Sequence, residues 1–244
     1  MKILVCISSV PDTTSKITFT DNNTAFNKTG VQYIIGPYDD YALARAVELK
    51  EQLGGTVTVL NVGTAETDTQ IRKALAIGAD DAIRVDMEPT DSYAVAEQIA
   101  KQAEGQGYDL ILMGRETTDY NSGVVHGIVG EMLGIPSFSP VMELAVDGST
   151  AKMTREIEGG KEKLEASLPL VLGCQEPIAE WKIPNMRGIM TARSKPLNVV
   201  APSGEAFTSV NSYTLPPEKG AVKLIPAEEA EKLIELLRTE AKVL

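Results

Sequence analysis

The chain contains few residues that could perform acid–base or nucleophilic chemistry. His126 is the only histidine, and it lies in a glycine- and valine-rich stretch where a structural role is the more ordinary interpretation. A Ser-His-Asp or Cys-His arrangement would depend on this one residue. Asp39 and Asp40 could be paired acids, but their position at the start of a predicted helix favours N-capping. Cys6 and Cys174 lie inside apolar runs, and they offer too few ligands for a metal site.

One loop has the composition of a ligand-binding segment. Residues 114–123 follow a predicted strand, are rich in small and hydrogen-bonding side chains, and end at a predicted helix. Free amides and the dipole at a helix N-terminus favour an anion. A structural loop in which Asp119, Asn121 or Ser122 caps the helix explains the same composition, so both interpretations stay open. Residues 36–39 form a second loop that could line the same crevice.

Motifs and charge exclude several function classes. No Gly-x-Gly-x-x-Gly run follows the first predicted strand and no Gly-x-x-x-x-Gly-Lys-Ser/Thr run is present, so the two common phosphate-binding motifs are missing. A formal net charge of -11 argues against nucleic acid and anionic membrane surfaces as partners. No apolar run approaches the ~20 residues that span a bilayer, and the N-terminus lacks a signal peptide pattern. We expect a cytoplasmic protein without membrane insertion.

Hydrophobic patterning predicts the elements that position these loops. Helical stripes over residues 40–53 and 91–103 alternate with short apolar runs, which is typical of βαβ units and a doubly wound, mostly parallel sheet. A third helix begins near Thr67, which forms a capping-box pattern with Gln70, and ends at Gly78. Ligands of such sheets bind beyond the carboxyl ends of the strands. The predicted strands, buried on both faces, are residues 3–7, 57–62, 82–85, 110–113 and 170–172.

The pattern changes in the C-terminal half. Two alternating runs flank Asp147-Gly148, a strong hairpin signal, and a third run covers residues 163–168. We therefore predict an antiparallel extension of the sheet within a nucleotide-binding domain of residues 1–194. Residues 195–244 are predicted to form an extended arm that ends in a helix, either docked loosely as a tail or embracing a partner subunit. The apolar stripe of that helix is Ala230, Leu233, Ile234, Leu237 and Ala241.

Several separated motifs resemble those of electron transfer flavoprotein beta subunits. The resemblance runs from residue 1 to about residue 196, and the motifs occur in the family's order. They are KILVCISSVPDT (residues 2–13), GPYD (36–39), IRKALAIGAD (71–80), GRETTD (114–119), REIEGG (155–160) and IPNMRGIM followed by AR (183–193).

The resemblance implies an electron carrier without bond-making catalysis of its own. It implies a heterodimer with an alpha subunit that holds most of the FAD, and acyl-CoA or other flavin dehydrogenases as electron donors. Thr13 and Tyr38 would approach the flavin, and Ile183 would dock the donors. A second adenine nucleotide would touch Cys6, Gly36, Pro37, Tyr38, Asp39, Val62, Gly114, Arg115, Glu116, Thr117, Thr118, Asp119, Tyr120, Asn121, Ser122, Gly123, Val124 and Val125.

The loop after Asp119 departs from both known variants of the family. Members with AMP usually carry Asn-Gln-Thr there, and members that bifurcate electrons with a second FAD usually carry glycine after the aspartate. Here Tyr120 follows Asp119, and its ring would occupy space that a flavin needs, which favours AMP. Two other classes stay open: a free-standing adenine-nucleotide-binding regulator of the same fold, and a hydrolase that uses His126.

Overall fold

A computed structural model describes residues 1–244 as a nine-stranded sheet flanked by helices. Two small two-stranded sheets, Ser9–Pro11 with Tyr33–Ile35 and Phe19–Thr20 with Ala25–Phe26, lie between the first strand and the first helix. The helices are α1 (Pro37–Leu53), α2 (Asp68–Ile77), α3 (Ser92–Ala103), α4 (Val125–Leu133), α5 (Met186–Ala192) and α6 (Ala230–Leu236). The strands are β1 (Lys2–Cys6), β2 (Ser9–Pro11), β3 (Phe19–Thr20), β4 (Ala25–Phe26), β5 (Tyr33–Ile35), β6 (Thr56–Val62), β7 (Asp81–Val85), β8 (Leu110–Gly114), β9 (Ser137–Asp147), β10 (Thr150–Ile157), β11 (Gly160–Ser167), β12 (Leu170–Cys174) and β13 (Leu197–Val200).

The large sheet is doubly wound, as predicted. Its strand order is β11-β10-β9-β12-β8-β1-β6-β7-β13, and β1 pairs in parallel with β6 on one side and with β8 on the other. The chain first runs outward from β1 to β6 and β7, then returns to β8 on the opposite side of β1. The order therefore reverses at β1, which is where such sheets bind ligands.

Alternate residues of the central strands face two separate apolar layers. Ile3 and Val5 of β1 pack in the layer beneath α1 and α2. Leu4 and Cys6 pack in the layer beneath α3 and α4. Burial of each large aliphatic side chain stabilises the fold by about 1.5–3 kcal/mol. Because both faces are covered, the strands have the continuous apolar sequences that predicted them.

The predicted antiparallel extension is confirmed. Strands β9 and β10 pair in antiparallel register around the turn at Asp147 and Gly148, and β10 pairs with β11. Gly148 has a φ of 58°, a left-handed conformation that glycine adopts at little cost. The first strand of this extension also pairs with β12 in parallel, so the hairpin continues the main sheet.

The predicted capping box at the start of α2 is wrong. The Thr67 hydroxyl donates to the side-chain oxygen of Asn61 at 2.7 Å, and the Gln70 amide donates to the Tyr33 carbonyl at 2.9 Å. Neither side chain binds the amides of its own helix, because both face neighbouring strands. Gly78 ends the helix as predicted, and glycine is required there because a Cβ would come within 2.8 Å of Val47.

The segment after α5 contains a strand that the sequence analysis did not predict. Strand β13 adds to the sheet beside β7, so the extended arm begins after Val200. Tyr213 holds this arm through a hydrogen bond from its amide to the Asn23 carbonyl at 2.7 Å and through stacking on Phe19. The division into domains at residues 194 and 195 stays a prediction.

Beyond Tyr213, no hydrogen bond joins the arm to the rest of the chain. The terminal helix forms over α6 and continues as a π-helical turn over Leu237–Ala241. Leu233 and Ile234 of the predicted stripe are 46% and 51% exposed. None of the helices has the length and apolar composition needed to cross a bilayer.

Candidate functional site

The carboxyl ends of β8, β1 and β6 lie side by side, and a cleft opens above them. We call it the strand-end cleft. The space between its walls amounts to about 720 Å³ when the open solvent at its mouth is included. Apolar side chains form its inner wall, whereas hydroxyl and carboxylate groups lie along the loops, and no lysine, arginine or histidine lines it. Such a lining suits a flat apolar ring with hydrogen-bonding groups attached.

The Asp39 carboxylate lies beneath the cleft and links two of its loops by hydrogen bonds. Its carboxylate accepts hydrogen bonds from the Ser8 amide at 2.8 Å, the Ser8 hydroxyl at 2.5 Å and the Gly114 amide at 2.7 Å. These amides lie at and just beyond the strand ends, where the side chain supplies their acceptor. The carboxylate therefore fixes the segment after β1 relative to the end of β8.

The predicted N-capping role of Asp39 is consequently wrong. Helix α1 begins two residues earlier, at Pro37 with Gly36 as its N-cap, because proline suits the first helical position. Asp39 thus lies within the first turn and its side chain is directed to the strand ends. Its neighbour Asp40 does not cap the helix either, and instead forms an ion pair with Lys73 at 3.3 Å.

Burial dominates the electrostatics beneath the cleft. It raises the pKa of Asp39 to about 6, although the bonds from Ser8 and Gly114 act in the opposite direction. Burial also raises the pKa of the Cys6 thiol, and the nearby Asp39 carboxylate adds to that effect. Cys6 and Cys174 are both free. A buried thiol with a raised pKa remains protonated and is a poor nucleophile.

Two glycines are required by the position of the Asp39 carboxylate. A Cβ on Gly114 would lie 2.6 Å from one carboxylate oxygen, and a Cβ on Gly36 would lie 2.5 Å from the other. The glycines of the GPYD and GRETTD motifs therefore serve the same carboxylate. This contact gives a physical reason for their presence at those positions.

The loop after β8 is closed by its own hydrogen bonds. The Ser122 amide donates to the Thr117 hydroxyl at 3.2 Å, and the Thr117 amide donates to the Ser122 carbonyl at 3.3 Å. Asn121 has a φ of 54°, a left-handed conformation that asparagine tolerates better than most residues. Val124, not a polar residue of this loop, is the N-cap of α4. The alternative in which Asp119, Asn121 or Ser122 caps that helix is therefore wrong.

Arg115 lies beside the cleft but turns away from it. Its guanidinium donates to Gln175 at 2.8 Å and to Glu116 at 2.9 Å, and it lies 4.9 Å from the centre of the Tyr38 ring. Gln175 in turn donates to Glu156 at 2.7 Å. Arg115 thus connects the loop to the REIEGG hairpin, although its partner Glu116 lines the cleft.

The structure brings ten of the predicted nucleotide-contacting residues together and leaves others outside. Gly36, Pro37, Tyr38, Arg115, Thr118, Asn121, Gly123 and Val124 belong to the same loops but do not line the cleft. The residues that do line it are Cys6, Asp39, Val62, Gly114, Glu116, Thr117, Asp119, Tyr120, Ser122 and Val125.

Several lining residues were missed by the sequence analysis. Ser8 and Ser9 directly follow β1, so their position at the reversal of strand order was a usable signal. The other residues come from several separate elements. They are Ile7, Leu60, Thr67, Pro89, Val95, Ile99 and Met113.

The remaining predicted residues lie elsewhere. Thr13 is exposed in the turn after β2, and Ile183 is 74% exposed before α5. His126 lies outside the cleft lining, with its Nδ1 3.3 Å from the Ser137 hydroxyl, and burial lowers its pKa. No carboxylate is hydrogen-bonded to the ring, as a Ser-His-Asp arrangement would require, and burial of this kind is typical of a packed structural histidine.

Comparison with known proteins agrees with this geometry. The family model of the electron transfer flavoprotein domain matches residues 24–204. Similar proteins named electron transfer flavoprotein subunit beta include one from Bacillus subtilis, 35% identical over 100% of both chains. Others come from Syntrophomonas wolfei, 34% identical over 100% of this chain and 98% of the relative, and Homo sapiens, 30% identical over 100% and 99%. This chain belongs to the family of electron transfer flavoprotein beta subunits.

Proposed function

We propose that this chain is the beta subunit of a heterodimeric, cytoplasmic electron transfer flavoprotein. The alpha subunit would hold most of the FAD, and the strand-end cleft would hold AMP. The assembly would carry electrons from acyl-CoA or other flavin dehydrogenases to a downstream acceptor. The observation that carries this proposal is the cleft at the reversal of strand order in a chain of this family.

The lining of the cleft fits an adenine nucleotide. Leu60, Val95 and Ile99 provide apolar surface for a flat base. The hydroxyl of Ser122 and the start of α4 would receive the phosphate, because the free amides of a helix N-terminus favour an anion. Bound AMP would have a structural role, and FAD supplies the redox chemistry. The chain itself would orient the nucleotide, exclude water and close over the flavin domain of its partner.

AMP fits this proposal better than a second FAD because of Tyr120. This side chain lines the cleft and is 50% exposed, so its ring takes up part of the mouth. A flavin would need more of that space than a single phosphate does.

Nucleotide analysis of the purified heterodimer tests this proposal. The protein is denatured and its released nucleotides are separated by chromatography. We expect one FAD and one AMP per heterodimer, whereas two FAD and no AMP would overturn the assignment. Tyr120→Gly is a useful companion variant, because it should gain FAD binding at the cleft if the ring is the barrier. The isolated chain should show no stoichiometric flavin absorbance.

The terminal helix would contact the alpha subunit. Leu233 and Ile234 are about half exposed, and burial of such side chains is worth ~1.5–3 kcal/mol each. We expect truncation after Val200 to weaken heterodimer assembly. The double variant Leu233→Ala/Ile234→Ala should weaken it at least ~10-fold, in line with that burial energy. Lys232→Ala/Glu235→Ala is the matched control on the same helix, and equal effects of both pairs would contradict the proposal.

An exposed apolar patch before and within α5 would dock the electron donors. Ile183 is 74% exposed, and Trp181, Met186 and Met190 beside it in sequence are 56%, 75% and 71% exposed. Neighbouring exposed apolar side chains of this kind mark interaction sites. Ile183→Ala should slow reduction of the flavin by a dehydrogenase without changing reduction by dithionite. Equal slowing in both assays, or in neither, would rule out a docking role.

A further inference from the structure

The N-cap and the first residue of α3 contact two separate parts of the chain. The Asp91 carboxylate accepts hydrogen bonds from the Phe207 amide at 2.8 Å and the Thr208 amide at 2.9 Å, both in the arm. The next residue, Ser92, has its hydroxyl oxygen 2.6 Å from that of Ser122 in the loop of the strand-end cleft. One helical turn therefore touches both the arm and the cleft.

Aromatic packing reinforces the contact with the arm. The ring of Tyr93 meets the ring of Phe207 edge to face, with the ring centres 4.6 Å apart. Asp91 and Ser122 are only 8% and 7% exposed. Water therefore competes little for these hydrogen bonds, and loss of one leaves a buried polar group unsatisfied.

Ser122 connects this turn to the wall of the cleft. Its amide and carbonyl close the loop by bonding to Thr117, and both residues line the cleft. A ligand that holds Ser122 in place also holds the oxygen that Ser92 binds. Ser92 directly follows Asp91 at the start of a rigid helical turn. When the loop is restrained through Ser122, the Asp91 carboxylate is restrained as well, and this carboxylate accepts the hydrogen bonds of the arm amides.

We propose that Asp91 and Ser92 are positioning residues that couple occupancy of the strand-end cleft to the order of the arm near Phe207 and Thr208. The coupling is reciprocal, as any equilibrium linkage between two sites must be. Ligand in the cleft holds the arm more firmly, and release of the arm loosens the cleft loop. The ligand part of this inference rests on the proposed function, whereas the link between arm and loop does not.

Two variants separate the links. Asp91→Asn keeps the side-chain oxygen that accepts from the Ala94 amide at 2.6 Å, because asparagine is as good an N-cap as aspartate. Its amide group would face the donors of Phe207 and Thr208, so only the arm contact is lost. Ser92→Ala leaves the arm contact in place and removes the hydroxyl that binds Ser122.

Hydrogen exchange of the full chain without ligand tests the link itself. In Asp91→Asn, the amides of Thr117 and Ser122 should exchange about fivefold faster than in wild type, the lower end of typical coupling between sites. Tyr213→Ala is the matched control: it removes a different arm contact, the stacking on Phe19, and should leave those two amides unchanged. Unchanged exchange at Thr117 and Ser122 in Asp91→Asn would overturn the proposal.

Added AMP tests the ligand part. In wild type, AMP should slow exchange of the Phe207 and Thr208 amides about fivefold, and this response should vanish in Ser92→Ala even when the variant is saturated with AMP. A purely structural role for Ser92 would leave the response intact and would overturn the coupling. If calorimetry shows no AMP binding to wild type, the nucleotide assignment fails, and the exchange of Thr117 and Ser122 without ligand still decides the link.

Discussion

Two buried aspartates at the starts of helices hold different regions of this protein in place: the body, which is residues 1–200, and the arm that follows Val200. Asp39 in α1 accepts hydrogen bonds from Ser8 and Gly114, groups that belong to the core of the sheet. Asp91 before α3 caps its own helix and also accepts from Phe207 and Thr208 of the arm. Each carboxylate accepts at least three bonds, but they hold very different structures.

The pKa values of the two carboxyl groups are shifted in opposite directions. Burial raises the pKa of Asp39, whereas the amide of Ala94 and then the amides of the arm lower the pKa of Asp91. Desolvation is the largest influence on the pKa of Asp39, whereas at Asp91 the hydrogen bond from the Ala94 amide outweighs desolvation. The number of hydrogen bonds alone does not determine the direction of the shift, because the degree of desolvation decides between them.

The largest expected effect comes from removing the carboxylate beneath the cleft. Asp39→Ala leaves the buried amide of Gly114 and the partly buried amide of Ser8 without an acceptor, and we expect a loss of about 4 kcal/mol in the free energy of unfolding. Asp40→Ala is the matched control, because it removes only a partly exposed ion pair with Lys73 and should cost less than about 1 kcal/mol. Urea unfolding of both variants measures the difference. Similar losses of unfolding free energy would contradict the contrast between a core carboxylate and a surface one.

The pH dependence of stability should identify the charge state of Asp39. Its folded pKa of about 6 lies above the ordinary 3.8, so the protonated carboxyl favours folding. This stabilisation is complete below pH ~4 and is lost as the pH rises through about 6. Relative to the non-titrating variant Asp39→Asn, the wild-type free energy of unfolding should fall by up to about 3 kcal/mol between pH 4 and pH 7. A constant difference across that interval would show that burial does not raise the pKa.

The glycine beside this carboxylate should resist substitution. Gly114→Ala would place a Cβ 2.6 Å from Asp39 and 2.7 Å from Tyr38, and we expect a destabilisation of about 2 kcal/mol together with weaker nucleotide binding. Gly127→Ala is the control within α4, where nothing lies within 4 Å of the added carbon. That change should stabilise the chain by up to about 1 kcal/mol. Thermal unfolding distinguishes them, and tolerance of Gly114→Ala would contradict the close packing.

The smallest effect on the body should come from removing the arm altogether. Truncation after Val200 retains β13 and every residue that lines the strand-end cleft. We expect the free energy of unfolding to change by no more than about 1 kcal/mol, because removal of the whole arm opens the groups it contacts to water, which replaces the lost hydrogen bonds. Urea unfolding measures this change. A loss as large as that of Asp39→Ala would show that the arm is part of the core, and it would contradict the contrast between body and arm.

Local sequence determined much of this fold. Continuous apolar runs predicted the central strands, since each of these strands is buried on both faces. Asp147 and Gly148 predicted the hairpin through their own turn conformations. The alternation of helices and strands predicted a doubly wound sheet, whose ligands bind beyond the carboxyl ends of the strands, and the cleft lies there. The motifs that resemble the family lie in the same loops.

Only the tertiary structure decided the partners of the polar side chains. Asp39 satisfies the N-cap pattern in sequence but bonds to strand ends that come from distant positions, and Thr67 and Gln70 satisfy the capping-box pattern but bond to Asn61 and Tyr33. Strand β13 has too short and weak a pattern to be predicted without β7 beside it. Hydrophobic periodicity is a property of neighbouring residues, so sequence encodes it directly. A hydrogen bond is directional and depends on which donor the finished fold brings within about 3 Å, and no local pattern specifies that.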